Sequence, residues 1–179
     1  MPRWIALFRG INVGGNNLLP MRGLVSNLET LKCQNVRTYI QSGNVVFDTE
    51  TKDPKPLVKK IADRIEREHG FRPQVLLLSC EKLQRAIKAN PFPKAVGDPK
   101  SLHFFFLEKP AAKANLDALD KAKSPTESYV LKGNLFFLHA PDGIGRSKLA
   151  ATAERHLGVA ATARNYRTVE KIAELAAED

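Results

Sequence analysis

Two cysteines, one tryptophan, two methionines and four histidines are all that this 179-residue chain holds of those types, and each scarcity closes off a class of protein. Cys33 and Cys80 lie in or beside predicted helices, without metal-ligand spacing and with no reason to be paired. A disulfide scaffold and a zinc module are thereby excluded, and two structural thiols suit a reducing, cytoplasmic compartment. Long apolar runs are missing too. Stretches such as Val75–Leu78 and Phe104–Leu107 are far shorter than a membrane span, and the first residues lack the apolar core of a signal peptide. No membrane partner is therefore expected. Acidic side chains are outnumbered, 19 Asp and Glu against 28 Lys and Arg, for a net charge of +9. Divided at residue 79, the two parts carry +5 and +4, so the excess is spread along the chain. A basic surface raises the expectation of an anionic partner, nucleic acid included. An RNA-binding aromatic strand and zinc-finger spacing are both absent.

What is present is pattern. With 43% hydrophobic residues the chain can fill the core of one ordinary domain or two small ones. Residues 3–9 read as a short apolar strand. A helix follows, with Pro20 in its first turn and Met21, Leu24, Val25, Leu28 and Leu31 at helical spacing. Val36–Ile40 and Asn44–Asp48 read as strands around a Gln41-Ser42-Gly43 turn. A second helix runs from about Lys55 to a stop at Gly70, and Pro73 opens a strand through Leu78. The order β-α-β-β-α-β is the ferredoxin-like unit.

After a linking helix capped by Ser79 and ended at Asn90-Pro91, the same order recurs. It runs as a strand over Ser101–Leu107, a helix over Ala111–Lys121 and a hairpin of Glu127–Leu131 with Asn134–His139. A helix from about Arg146 to Leu157, a short strand at Val159–Thr162 and a last helix from Tyr166 to Ala177 complete it. The expected fold is α+β: two ferredoxin-like sub-domains in tandem, residues 1–79 and 101–179, joined by a linking helix and loop over 80–100. The repeat is one of topology, not of residue identity.

Two glycine-punctuated segments near the start stand out, Arg9-Gly10-Ile11-Asn12-Val13-Gly14-Gly15-Asn16-Asn17 and Tyr39-Ile40-Gln41-Ser42-Gly43-Asn44. With "GIGRSKL" at 143–149 and "TARNYRTVEKIAEL" at 162–175, they closely resemble the DUF1697 family. Members of that family have two such sub-domains, often with lysines at the positions of Asn16 and Leu18 and a tryptophan at that of Tyr166. The resemblance implies the fold and assigns no reaction.

In a ferredoxin-like unit the first and second strands are parallel with the third between them. The loop leaving strand one and the turn between strands two and three therefore share a sheet edge, which puts Arg9, Asn12, Gly14 and Gly15 beside Gln41, Ser42 and Asn44. They are candidate ligand-binding residues, because glycine lets a ligand approach the backbone closely and amides and hydroxyls supply donors; the competing reading is of tight turns serving the fold. In the second unit Gly145, Arg146, Ser147 and Lys148 open a helix with free N–H groups and two cations, the chemistry of an anion site. Arg164 and Asn165, at the end of strand four, are expected beside them. A solvated, Ser-capped helix start is the bland counterpart.

Neither set matches a dinucleotide or phosphate-loop fingerprint, no cofactor or metal is called for, and Asp142 is the one carboxylate in the candidate site segments. The expected function is binding of an anionic ligand, a nucleotide, phosphometabolite or nucleic acid, in a polar cleft between the sub-domains. One rival is an enzyme acting on a phosphorylated or acyl substrate, with His139 as base and Asp142 orienting it. Another is a protein-interaction module using Ala89–Pro93 or the last helix. His69, His103 and His156 read as structural.

Overall fold

The computed structural model describes residues 1–178; residue 179, the end of the second sub-domain as drawn from the sequence, lies outside them. The first unit holds β1 (Arg3–Arg9), α1 (Met21–Thr30), β2 (Gln34–Tyr39), β3 (Asn44–Asp48), α2 (Pro54–His69) and β4 (Gln74–Ser79). Its sheet has the order β2-β3-β1-β4 with every pairing antiparallel, which is the ferredoxin-like arrangement read from the sequence. One face of the sheet packs against the helices through Trp4, Ala6, Phe8, Val45, Phe47 and Leu77, with Leu24 and Leu28 of α1 and Leu57, Ile61 and Ile65 of α2. The helix ends follow the local chemistry. Asp53 accepts from the Lys55 N–H to cap α2, and Gly70, at φ 76°, closes it in the left-handed region with its N–H on the Glu66 carbonyl.

The second unit repeats the plan. After α3 (Cys80–Lys88) and a 3-10 turn at Pro93–Gly97 come β5 (Leu102–Leu107), α4 (Leu116–Ala122), β6 (Ser128–Lys132), β7 (Leu135–His139), α5 (Lys148–Leu157), β8 (Ala161–Asn165) and α6 (Tyr166–Ala177). The sheet order is β6-β7-β5-β8, again antiparallel throughout. β5 is buried at every position. Phe105, Leu107, Phe136 and Leu138 meet Leu119 of α4 and Leu149, Ala153 and Leu157 of α5, and Phe105 and Phe136 stand edge to face at 5.3 Å.

Among the boundaries that differ from expectation, three have a clear local cause. The helix expected over Ala111–Lys121 begins only at Leu116. Asn115 accepts from the Ala118 N–H and caps it there, while Ala112 and Ala114 are spent in turns. The strand expected over Val159–Thr162 is β8, displaced to Ala161–Asn165, because Gly158 at φ 69° must first end α5 and the register runs from Leu107↔Ala161 to His103↔Asn165. α5 starts at Lys148, because Ser147 takes the capping position and leaves Arg146 in a preceding 3-10 turn.

Contacts gather Met1–Gln84 with the chain from Lys171 onward into one compact unit, and Arg85–Glu170 into the other. The division by element order was linear; the division by contact returns the last turns of α6 to the first unit. There the Arg3 Nη1 donates to the carbonyls of Ala176 and Glu178 at 3.0 and 2.5 Å, and the Arg37 Nη2 to that of Glu178 at 2.9 Å. Two guanidiniums thus satisfy carbonyls that a helix leaves open at its C-terminal end.

Candidate functional site

Residues 10–19 form a small finger. Val13-Gly14-Gly15-Asn16 is a tight turn with both glycines at positive φ, 58° and 76°, closed by the Asn16 N–H on the Val13 carbonyl at 3.0 Å, the pattern of a type I′ turn. One step further out, the Asn12 N–H meets the Asn17 carbonyl at 3.1 Å. Asn12 then fixes the finger's base, with Nδ2 on the carbonyls of Leu19 and Gln41, both at 2.9 Å, and Oδ1 on the Leu19 N–H at 2.8 Å. Asn17 Nδ2 closes the other side on the Gly10 carbonyl at 2.8 Å.

The Gln41–Asn44 turn meets this finger as the topology requires. The Phe8 N–H donates to the Gly43 carbonyl at 2.8 Å. A Cβ on Gly43 would stand 2.5 Å from Phe8 Cβ and 2.7 Å from Ile11 Cδ1, at φ 80°, so glycine is required there both by space and by conformation. Asn44 is buried and spends its Nδ2 on the Tyr39 carbonyl and the Ser42 Oγ, at 3.1 and 3.0 Å. The structure therefore unites all the residues singled out in the first unit but separates their duties. Asn12, Asn44 and Gly43 build the loops. Gly14, Gly15, Gln41 and Ser42 are exposed on them, and Arg9 donates to Gln74 Oε1 at 3.2 Å at the adjoining strand end.

One signal was hidden from the sequence. Of the thirteen described residues at positive φ, seven lie on these two loops: Gly10, Asn12, Gly14, Gly15, Asn17, Ile40 and Gly43. Ile40 is the unusual member. A β-branched side chain at φ 50° costs about 1–2 kcal/mol, and Ile40 is 51% exposed, so burial returns little of it. No residue pattern announces such strain at an isoleucine.

In the second unit Ser147 Oγ accepts from the Ala150 N–H at 2.9 Å and is buried, whereas Gly145, Arg146 and Lys148 are exposed. The Arg146 and Lys148 side chains have no hydrogen-bond or ion-pair partner among the described residues. Arg164 lies within β8 opposite Phe104; it donates to the Ala163 carbonyl at 2.9 Å, and burial pushes its pKa down to about 10. Asn165 accepts from the Thr168 N–H at 2.9 Å and so caps α6. Both thus have places in the sheet and the helix start. Asp142 is held by the Thr126 hydroxyl at 2.5 Å, and His139 lies against the Phe92 ring at 5.9 Å. No hydrogen bond joins the two among the described residues.

His103 was read as structural, and its surroundings are unusual. It is 4% exposed, neither ring nitrogen has a hydrogen-bond partner among the described residues, and burial pushes its pKa down to about 4. Cys33 and Cys80 are free thiols, with Cys33 raised by burial to about 11. Among the described residues no group of three or more His, Cys, Asp or Glu is placed to hold a metal ion, and no helix is long and apolar enough to cross a membrane.

Two ferredoxin-like units, one bearing a glycine finger stapled to a neighbouring turn, define an α+β protein. The chain belongs to DUF1697, a protein family of unknown function, whose profile matches residues 1–137. It is similar in structure to a conserved bacterial protein of Streptococcus pneumoniae, with a TM-score of 0.73 and 24% sequence identity over 98% of each chain. That likeness extends the shared fold through the second unit. A comparison with curated protein sequences finds no match.

Proposed function

We propose that the protein binds an anionic ligand, a nucleotide, phosphometabolite or nucleic acid, at the edge formed by Arg9–Asn17 and Gln41–Asn44. The observation that carries this reading is the gathering of seven positive-φ residues on two stapled loops. At the non-glycine members, Asn12, Asn17 and Ile40, conformations of this kind cost stability, and such residues cluster where a binding surface needs them. They also turn successive N–H groups outward, the arrangement that cradles anions. The amides of Gly14 and Gly15 have no acceptor among the described residues. Charge agrees: from Met1 to Phe47 the single carboxylate is Glu29, against Arg3, Arg9, Arg22, Lys32 and Arg37, and Glu29 lies near the far end of α1.

The start of α5, with Gly145, Arg146 and Lys148, is a second anion position in the same reading, supported by its unpaired cations. A cytoplasmic setting belongs to it as well, since two free thiols suit a reducing compartment.

The test is a thermal-shift screen of inorganic phosphate, nucleotides and short oligonucleotides, since a ligand at a hundred times its Kd adds about 2.7 kcal/mol of apparent stability. Titration of the best ligand into Gln41→Ala/Ser42→Ala and into Arg146→Ala then locates it. Weakening by the turn variant supports the edge. Weakening by Arg146→Ala alone transfers the site to α5 and overturns the assignment to the first unit.

A further inference from the structure

The described residues leave six large apolar side chains exposed, and four of them lie on the loops just discussed. Val13 and Leu18 are each 65% exposed on the finger, Ile40 is 51% exposed beside the Gln41 turn, and Ile144 is 37% exposed between Gly143 and Gly145 ahead of α5. Scattered surface aliphatics need no explanation; aliphatics gathered on anion-type loops do. Folding does not account for Ile40, since glycine or asparagine would take φ 50° with less strain. The finger's side-chain hydrogen bonds run through Asn12, Asn16 and Asn17, and neither Val13 nor Leu18 belongs to the buried core. Meanwhile the same edge presents unsatisfied N–H groups, the exposed and unpaired Arg22 in the first turn of α1, and no carboxylate between Met1 and Leu28.

Donors and cations recognise an oxyanion, whereas aliphatic side chains recognise hydrocarbon. A surface offering both side by side is matched by one molecule carrying both. We propose, resting on the anion-binding reading above, that the ligand of this edge is a small amphiphile, an anionic head joined to an aliphatic chain. The head lies on the Gly14–Gly15 amides and the Gln41–Ser42 turn, and the chain lies on Val13, Leu18 and Ile40. A nucleic acid fits less well, because the exposed tips carry no aromatic ring on which a base stacks. A second copy of the chain would set one carboxylate-free edge against another.

The experiment titrates inorganic phosphate and n-butyl, n-hexyl and n-octyl phosphate, all below their micelle concentrations, into the full-length protein. Affinity should rise by about twofold per methylene, against a ceiling of about fourfold for full burial. The ratio of octyl phosphate to inorganic phosphate affinity is the readout, so that any general loss of anion binding cancels. Val13→Ser/Leu18→Ser and, separately, Ile40→Gly should collapse that ratio, and Ile40→Gly should do so with a melting temperature equal to or above that of the wild type. Phosphate binding without a chain-length slope overturns the inference and leaves the anion reading standing. A slope that survives both variants overturns it as well. Binding to vesicles of phosphatidylcholine and phosphatidylserine with no binding of monomeric alkyl phosphates replaces the small amphiphile by a lipid surface. If no phosphate binds at all, both readings fall together.

Discussion

The Asn12 carboxamide ties two loops that lie some thirty residues apart in sequence: its Nδ2 donates to the Gln41 carbonyl and the Leu19 carbonyl, each at 2.9 Å, and its Oδ1 accepts from the Leu19 N–H at 2.8 Å. The Ile11 side chain packs against Gly43 of the same turn, and Asn12 adds the directional bond that holds the two loops in register. Asn12→Ala removes all three bonds and places alanine at φ 53°. The expected loss is about 2–4 kcal/mol, three modest hydrogen bonds plus the left-handed penalty, read by urea denaturation. Amide exchange at Leu19 should accelerate more than at any β1 residue. Uniform acceleration would show that Asn12 supports the whole unit instead of the finger.

Gly43 and Gly15 separate space from conformation. Both sit at positive φ, 80° and 76°, yet a Cβ on Gly43 meets Phe8 and Ile11 below 3 Å, while one on Gly15 meets nothing within 4 Å. Gly15→Ala should therefore cost about 1 kcal/mol, the backbone term alone. Gly43→Ala should cost about 3 kcal/mol or more, since the sheet must move to admit it. Thermal melts of the pair decide this; equal losses would mean that the turn shifts away from Phe8 without strain.

Most of the fold was legible because its signals are local. Asn44–Asp48 carries the β-branched and aromatic run of a buried strand, and Gly70 stops α2 where a left-handed cap is needed. The ferredoxin-like order then follows from counting elements and sets the finger beside the Gln41 turn. What stayed hidden depends on tertiary register. Thr162–Asn165 has the composition of a loop and becomes β8 because β5 supplies its partner. Asn12 and Asn44 look like ligand-facing amides, and the structure spends them on backbone carbonyls. Exposure and donor geometry, which separate a loop-building asparagine from a presenting one, are absent from a residue string.

Arg3 links the sheet to the chain's last turn. Its Nε and Nη2 meet the Asp48 carboxylate at 2.8 and 3.2 Å while Nη1 holds the Ala176 carbonyl. The hydrogen bond from Arg3, with a further one from Asn35, keeps the Asp48 carboxyl below its ordinary pKa. The stability this supplies is complete above the unfolded carboxylate value near 3.9 and is lost as pH falls through the lower folded value. Arg3→Met should cost about 1–3 kcal/mol at neutral pH and flatten the stability profile below about pH 4. It should also speed amide exchange in residues 174–178. An unchanged acid limb would assign it to other carboxylates.

His103 sets the profile at milder acidity. The imidazole is buried beside Leu138 and Asn165 in the sheet register, with both nitrogens unpartnered and its folded pKa pushed by burial from 6.5 to about 4. Between those values the unfolded chain binds a proton that the folded one refuses, so stability falls as pH drops from about 6.5 towards 4. At about 1.4 kcal/mol per unit, the loss approaches 3 kcal/mol at the lower end. His103→Leu removes both the titration and the unpaired polar atoms. The variant should be more stable than the wild type by about 1–2 kcal/mol at pH 8, and its advantage should widen steadily down to pH 4. Urea midpoints measured across that range decide the matter. Parallel profiles for the two proteins would show that His103 does not titrate there, and a destabilised variant at pH 8 would show that the ring makes a contact worth more than its burial costs.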